Sequence, residues 1–273
     1  MSLTHDARGT ASRAANSKSL ELLARAGFIG YGVLHLLLAW LALQVAFGNA
    51  SQEGSQSGAL EELASQPFGA FLVGAIGVGL VAMAVWQALE AAVGHQAENG
   101  RERVVERLIS VGRALAYLYF AFTAYKVLSG AKSSSGDSSQ QLTEKLMDSA
   151  GGRGLVGLAG LAVLGIGAGL IYHGAKKNFE EHLKTGEMSP KLRTVSRRLG
   201  MAGYISKGIA YGIAGLLVIV AAVTYDAEKA RGLDAALRTL VEQSYGPFLL
   251  ALVALGIGCY GVFCFVQARY RKV

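Results

Sequence analysis

Six apolar stretches, near 27–48, 68–92, 108–128, 154–175, 200–224 and 246–268, limit what this chain can fold into more than any other feature. A hydrocarbon core about 30 Å thick takes roughly 20 apolar residues per helical crossing. Within it every backbone N–H and C=O must be satisfied internally, which a helix does within one segment. The chain therefore reads as an all-α integral membrane protein with six transmembrane helices. Its composition agrees, with 52% hydrophobic and 16% charged residues and a mean hydropathy of +0.37. Residues 1–20 form a polar tail without the apolar stretch of a cleavable signal. Cys259 and Cys264 are the only cysteines and both fall in the last apolar stretch, where they are expected to pack as small apolar side chains rather than form a disulfide.

An internal repeat organises the six stretches. Gly27 to His35 align without a gap on Gly203 to Tyr211 at an offset of 176, and Ala59 to Gly69 align on Ala236 to Gly246 at 177. A middle copy, offset by 82, sets Arg107 against Arg25, Gly112 against Gly30, Arg113 against Tyr31 and Tyr117 against His35. The units are 21–98, 99–184 and 185–273, each a two-helix repeat starting on the same side of the membrane. Such parallel repeats are related by a pseudo-threefold axis along the membrane normal or stand in a linear array, and the sequence leaves both open.

Between the two helices of each repeat lies a polar segment with an apolar stripe. Leu233, Leu237, Leu240 and Val241 are spaced for one face of a helix, and Leu60 with Leu63 and Leu142 with Leu146 give shorter versions. Three short outer interfacial helices are expected, each entering the next long helix through a glycine: Gly69, Gly151 or Gly152, and Gly246. Lys and Arg fix the orientation: 17 lie on the side of the chain ends and six on the other. By the positive-inside rule both termini are expected to be cytoplasmic. The net charge of +7 is accounted for by basic ends facing anionic lipid and calls for no nucleic acid.

The arginine–glycine–aromatic start of the odd helices, the glycine and aromatic one turn on (Gly32 with His35, Gly208 with Tyr211), and the leucine-rich stretch ending in Gln66-Pro67-Phe68-Gly69 resemble a bacterial membrane family, domain of unknown function 1206. The resemblance implies three copies, six spans and a bacterial inner-membrane location, and brings no catalytic residue with it. The middle copy departs from the pattern, with Ser110 in place of the aromatic and Gly151-Gly152 in place of Pro-Phe-Gly.

Equivalent positions of the three odd helices hold Tyr31, Arg113 and Lys207, and one turn later His35, Tyr117 and Tyr211. Residues four apart share a helix face, so around a threefold axis the pairs would converge. Two readings stand: the cations snorkel to the headgroups while Tyr and His sit in the interfacial belt, or the cations face the bundle interior and mark a site. No acidic residue lies mid-span, Glu90 being near the inner end of the second helix, so an inward site would favour an anionic lipid or solute. His35 with His173 is a single unrepeated pair and makes a weak haem site, while His5, His95 and His182 read as solvent-facing without metal-ligand spacing. Gly77, Gly79, Gly165, Gly167, Gly169, Gly256 and Gly258 in the even helices read as close-packing positions rather than nucleotide loops. With no nucleophile–base pair, metal motif or carboxylate pair, the chain is expected to be no enzyme and to need no cofactor or metal. The leading reading is a scaffold or accessory subunit binding membrane lipids, membrane-protein partners or a second copy. The alternative is a small channel or carrier for an anionic solute or lipid that uses Arg113 and Lys207.

Overall fold

The structure, a computed structural model, describes residues 18–48, 54–93, 100–131, 134–149 and 151–272. His5, His95 and nearly all of the polar tail lie outside them. In chain order the described helices are α1 (Lys18–Ala46), α2 (Gln56–Ser65), α3 (Gly69–Val93), α4 (Gly100–Leu128), α5 (Ser135–Met147), α6 (Gly152–Lys176), α7 (Pro190–Thr224), α8 (Leu233–Val241) and α9 (Gly246–Tyr270). Six of them, α1, α3, α4, α6, α7 and α9, are long and apolar enough to cross a membrane. Even a 25-residue helix such as α3 reaches about 37 Å at 1.5 Å per residue, more than a bilayer core needs. Among the described residues there is no strand, only an isolated bridge between Leu183 and Arg271.

The short helices α2, α5 and α8 follow from local chemistry at their ends. Ser55 and Ser134 cap α2 and α5 by accepting the amides of Gly58 and Asp137, which satisfies otherwise orphaned donors. Each short helix hands over to the next long one at a glycine: Gly69, Gly152 and Gly246 donate to the carbonyls of Gln66, Ser149 and Gln243 at 2.7–2.9 Å. A Cβ at any of the three would lie within 2 Å of a carbonyl oxygen. Steric closeness, not flexibility, fixes glycine there, and of the two middle-copy choices Gly152 holds the position.

The long helices pack in the spatial order α6, α7, α9, α1, α3, α4. Contact of α9 with α1 joins the third repeat to the first, which a linear array does not do, so the repeats wrap around a common axis. The most extensive packing is between repeats and recurs at equivalent positions. A Cβ on Gly32 would sit 2.8 Å from the Gly261 carbonyl oxygen, and one on Gly208 2.6 Å from that of Gly167. Ala114 and Ala84 hold the same positions on α4 and α3, and both are buried. Small residues that admit a neighbouring backbone are how helices associate where lipid offers no hydrophobic drive.

The ring has a seam. α4 and α6, the two long helices of the middle repeat, end the row and make no substantial contact with each other. In the first and third repeats the hairpin closes because a glycine of the odd helix admits a large side chain: Gly27 faces Met83, and Gly203 faces Tyr260. The middle repeat has Ile109 and Ile166 at those two positions, and both are exposed. The middle repeat has a β-branched residue where the other two have the closing glycine, and its hairpin stays apart.

Polar links between the short helices hold the far end of the ring, here the collar face. Ser57 Oγ and Ser135 Oγ are 2.8 Å apart, joining α2 to α5. Arg231 donates to Asp137 at 2.8 Å, and the amide of Gly54 donates to buried Asp234 at 2.8 Å. Each pair of repeats is thus tied by at least one polar link. The apolar stripe expected at the lipid boundary turns onto the bundle instead: Leu60, Leu63 and Leu237 are buried, Leu237 against Val45, Ala46 and Leu250. Only Leu142 of that set is exposed.

At the opposite end, the terminal face, residues 178–188 fold under the ring. Phe179 stacks on Tyr204 at 5.5 Å and meets Phe263 edge-on at 5.1 Å. The amide of Lys184 donates to the Tyr270 carbonyl at 2.7 Å, and that of Lys272 to the His182 carbonyl at 2.9 Å, so this segment is fastened to the end of α9.

Candidate functional site

Side chains from α1, α4, α7 and α9 meet in the ring interior. Tyr31 on α1 and Tyr117 on α4 lie with ring centroids 5.5 Å apart although their helices are not neighbours in the row, which places both inside. His35, one turn beyond Tyr31, packs 4.2 Å from its ring and 4.9 Å from that of Tyr260 on α9. Lys207, from α7, is 8% exposed. Its Nζ donates to Tyr31 Oη at 3.3 Å and stands 3.9 Å from the centre of the Tyr260 ring. The snorkelling reading therefore fails for Lys207: its stem bends inward to an aromatic face and a phenol, as a desolvated cation favours. Tyr211 joins His35, Lys207 and Gln56 in lining a small cavity on the collar side of the site.

Arg113 lies nearer the terminal face and is half-buried. It acts electrostatically on Tyr117 of its own helix, on His173 of α6 and on His182. Arg271 at the end of α9 acts on the same three groups. Its guanidinium lies over Phe28 and Trp86 at 5.1 and 5.3 Å and donates to Gln267 at 2.6 Å. No carboxylate pairs with Lys207, Arg113 or Arg271 among the described residues. His182, expected in solvent, is half-buried under the ring. Burial first, then the charges of Arg271 and Arg113, push its imidazole down to about 4, so it is neutral at pH 7.

Of the six residues singled out from the repeat, the structure gathers Tyr31, His35, Tyr117, Lys207 and Tyr211 around one interior and sets Arg113 at its terminal end. Tyr260, Tyr204, Phe179 and Arg271 complete it and were not legible in advance. Tyr260 replaces Met83 of the first repeat, and an aromatic in an apolar helix carries no mark of its neighbours. The glycines divide. Gly79 lies beside Gly27, Gly167 beside Gly208 and Gly212, and Gly256 beside Ser206, all at very close approach, while Gly77 and Gly258 make ordinary contacts with Ala124 and Ala39. Gly165 and Gly169, expected to pack, face open space: an added Cβ at either meets nothing within 4 Å among the described residues. They lie on the seam helix α6, whose window is only 17% buried.

Fold and interior together define a class: a six-helix membrane-type bundle of three parallel two-helix repeats around an aromatic, cationic interior. The family model described as Domain of Unknown Function (DUF1206) matches three times, over residues 26–94, 109–177 and 202–271. The chain belongs to this family. It is also 28% identical over 257 residues to the "Uncharacterized protein YxxB" of Bacillus subtilis (strain 168), covering 93% of this chain and 92% of that one. No solved structure matches.

Proposed function

We propose that this protein is a non-enzymatic membrane protein that binds anionic lipid and serves as a scaffold or accessory subunit. The observation that carries the reading is the pair Arg113 and Arg271, two guanidiniums without a carboxylate partner among the described residues, at the terminal end of an interior flanked by the α4–α6 seam. A lipid phosphate matches the guanidinium fork. The exposed apolar side chains of the seam helices, Leu108 and Leu115 on α4 and Leu158 and Leu161 on α6 among them, suit an acyl chain. In this reading the terminal face is cytoplasmic, where Arg193, Arg197 and Arg198 add to the basic side, and the membrane is the bacterial inner membrane. Native mass spectrometry of the purified protein with equal amounts of phosphatidylglycerol and phosphatidylcholine tests it. Preferential retention of the anionic lipid, lost in the Arg113→Gln/Arg271→Gln double variant, is expected; equal retention of both lipids by the wild type overturns it.

A carrier or channel for an anionic solute is the second reading, favoured by the placement of Lys207 in the ring interior. Phe179, Tyr204 and Phe263 fill the interior on the terminal side, so conduction requires the 178–188 segment to move. Anion flux in proteoliposomes that is abolished by Lys207→Met supports this reading, and flux unchanged in that variant removes it.

A further inference from the structure

The cavity between Lys207 and His35 has a chemistry of its own. His35 is 1% exposed. Its Nδ1 lies 2.8 Å from the Tyr31 carbonyl oxygen, and since a carbonyl only accepts, Nδ1 carries the proton. In a neutral imidazole the other nitrogen is then a bare acceptor. That nitrogen, Nε2, is buried and has no hydrogen-bond partner among the described residues. Lys207 Nζ has three donors: one goes to Tyr31 Oη, and another side of the group rests against the Tyr260 ring. Both residues line a cavity of about 10 Å³, near the volume a single water takes on this measure, about 10–15 Å³.

We infer that Lys207 and His35 are a water-bridged, proton-sharing pair. One water accepts from Lys207 Nζ and donates to His35 Nε2, so a donor with a spare proton and an acceptor with a spare lone pair satisfy each other. The proton transfer balances without a co-reactant. The ammonium gives one proton to the water as the water gives one to Nε2, leaving a neutral amine and an imidazolium, with the net charge of the pair unchanged. A halide in the same place would leave Nε2 without a donor unless His35 were also charged, which sets a second cation beside Lys207. The titratable groups facing the pair are phenols and a thiol: Tyr31 on α1, Tyr117 on α4, Tyr204 and Tyr211 on α7, and Tyr260 and Cys264 on α9. Polar side chains continue on both sides: Tyr204 packs edge-on to Tyr260 with ring centroids 5.2 Å apart toward the terminal face, and Tyr211 and Gln56 line the cavity toward the collar. The site is a proton-binding centre at membrane depth built without a carboxylate.

Solid-state NMR of the full-length protein in bilayers, with 15N-labelled histidine, tests the pair directly. The expected result is a His35 ring protonated at Nδ1 and bare at Nε2, with Nε2 correlated to water protons. In Lys207→Met, with His173 and His182 resonances in place as markers of the fold, the Nε2 resonance should shift and its water correlation vanish. A wild-type His35 protonated at Nε2 in place of Nδ1, or lacking the water correlation, overturns the inference even where the variant does not fold. So does a folded Lys207→Met with an unchanged Nε2 resonance, or a resonance that follows replacement of chloride by gluconate.

Discussion

A buried ammonium needs something to hold its charge, and at Lys207 the face of Tyr260, 3.9 Å away, does so. Desolvated cation–π contacts contribute about 2 kcal/mol, so Tyr260→Leu should lower the unfolding midpoint far more in the wild type than in a Lys207→Met background. A double-mutant cycle in one detergent is expected to return a coupling of about 1–2 kcal/mol; strictly additive effects would show that the ring does not stabilise the cation. His182 gives a pH dependence with a definite sign. Its folded value of about 4 lies below the roughly 6.5 of a free imidazole, so the unfolded chain binds the extra proton first. The stabilisation is complete above about pH 6.5 and is lost as pH falls toward 4, at no more than about 1.4 kcal/mol per pH unit and less for a half-exposed ring. Thermal unfolding at pH 7 and pH 5 should show a midpoint drop that His182→Ala reduces. The repeat offset alone paired Tyr31 with Lys207 and His35 with Tyr211, because equivalent positions on parallel repeats face the same axis. What a single sequence did not carry was the inward bend of the Lys207 stem, since snorkelling and burial differ by rotamer and not by position.

Among the helices, the deciding variable is how closely two backbones may approach, and glycines two residues apart on α6 differ completely. Gly167→Ala would put a methyl group 2.7 Å from the Gly208 carbonyl oxygen and the Gly212 nitrogen, and overpacking of this kind costs about 1–3 kcal/mol. Gly165→Ala meets open space and should be neutral or stabilising by up to about 1 kcal/mol through helix propensity. Thermal unfolding of both variants side by side checks the pair, and equal effects would refute this assignment of faces. Gly203→Ile copies into the third repeat the residue the middle repeat already has. Its Cβ would lie 2.6 Å from that of Tyr260, so a large loss of thermal stability is expected, together with slower cross-linking between cysteines placed on α7 and α9. Periodicity and length exposed the long helices in the sequence, and the glycine junctions stood out by alignment. The partner of each Gly-x-Gly stayed hidden because the same spacing occurs on packed and lipid-facing sides alike. The stripe of α8 showed its amphipathicity but not whether protein or lipid would cover it.

For the molecule as a whole, the ring can be divided at two places, the α4–α6 seam and the α1–α9 contact. α1, α3 and α4 pack in one row and α6, α7 and α9 in another, with the principal helix contact between them made by α1 and α9. A chain opened after Ser149 should therefore assemble from co-expressed fragments that co-purify. Gly32→Leu, which drives a side chain into the Gly261 carbonyl 2.8 Å from the Cβ position, should separate them; fragments that fail to associate without any substitution would contradict this division. Parallel repeats could be read from the offsets, whereas ring or array is decided by contacts between residues more than two hundred positions apart, which leave no local trace. Because α9 is made after α1 and the seven helices between them, the glycine face of α1 stays uncovered until α9 emerges. Closure is then a late, long-range event of the slow kind. A chain arrested before Gly261 would leave that face bare to the lipid and to whatever in the membrane inspects unfinished proteins.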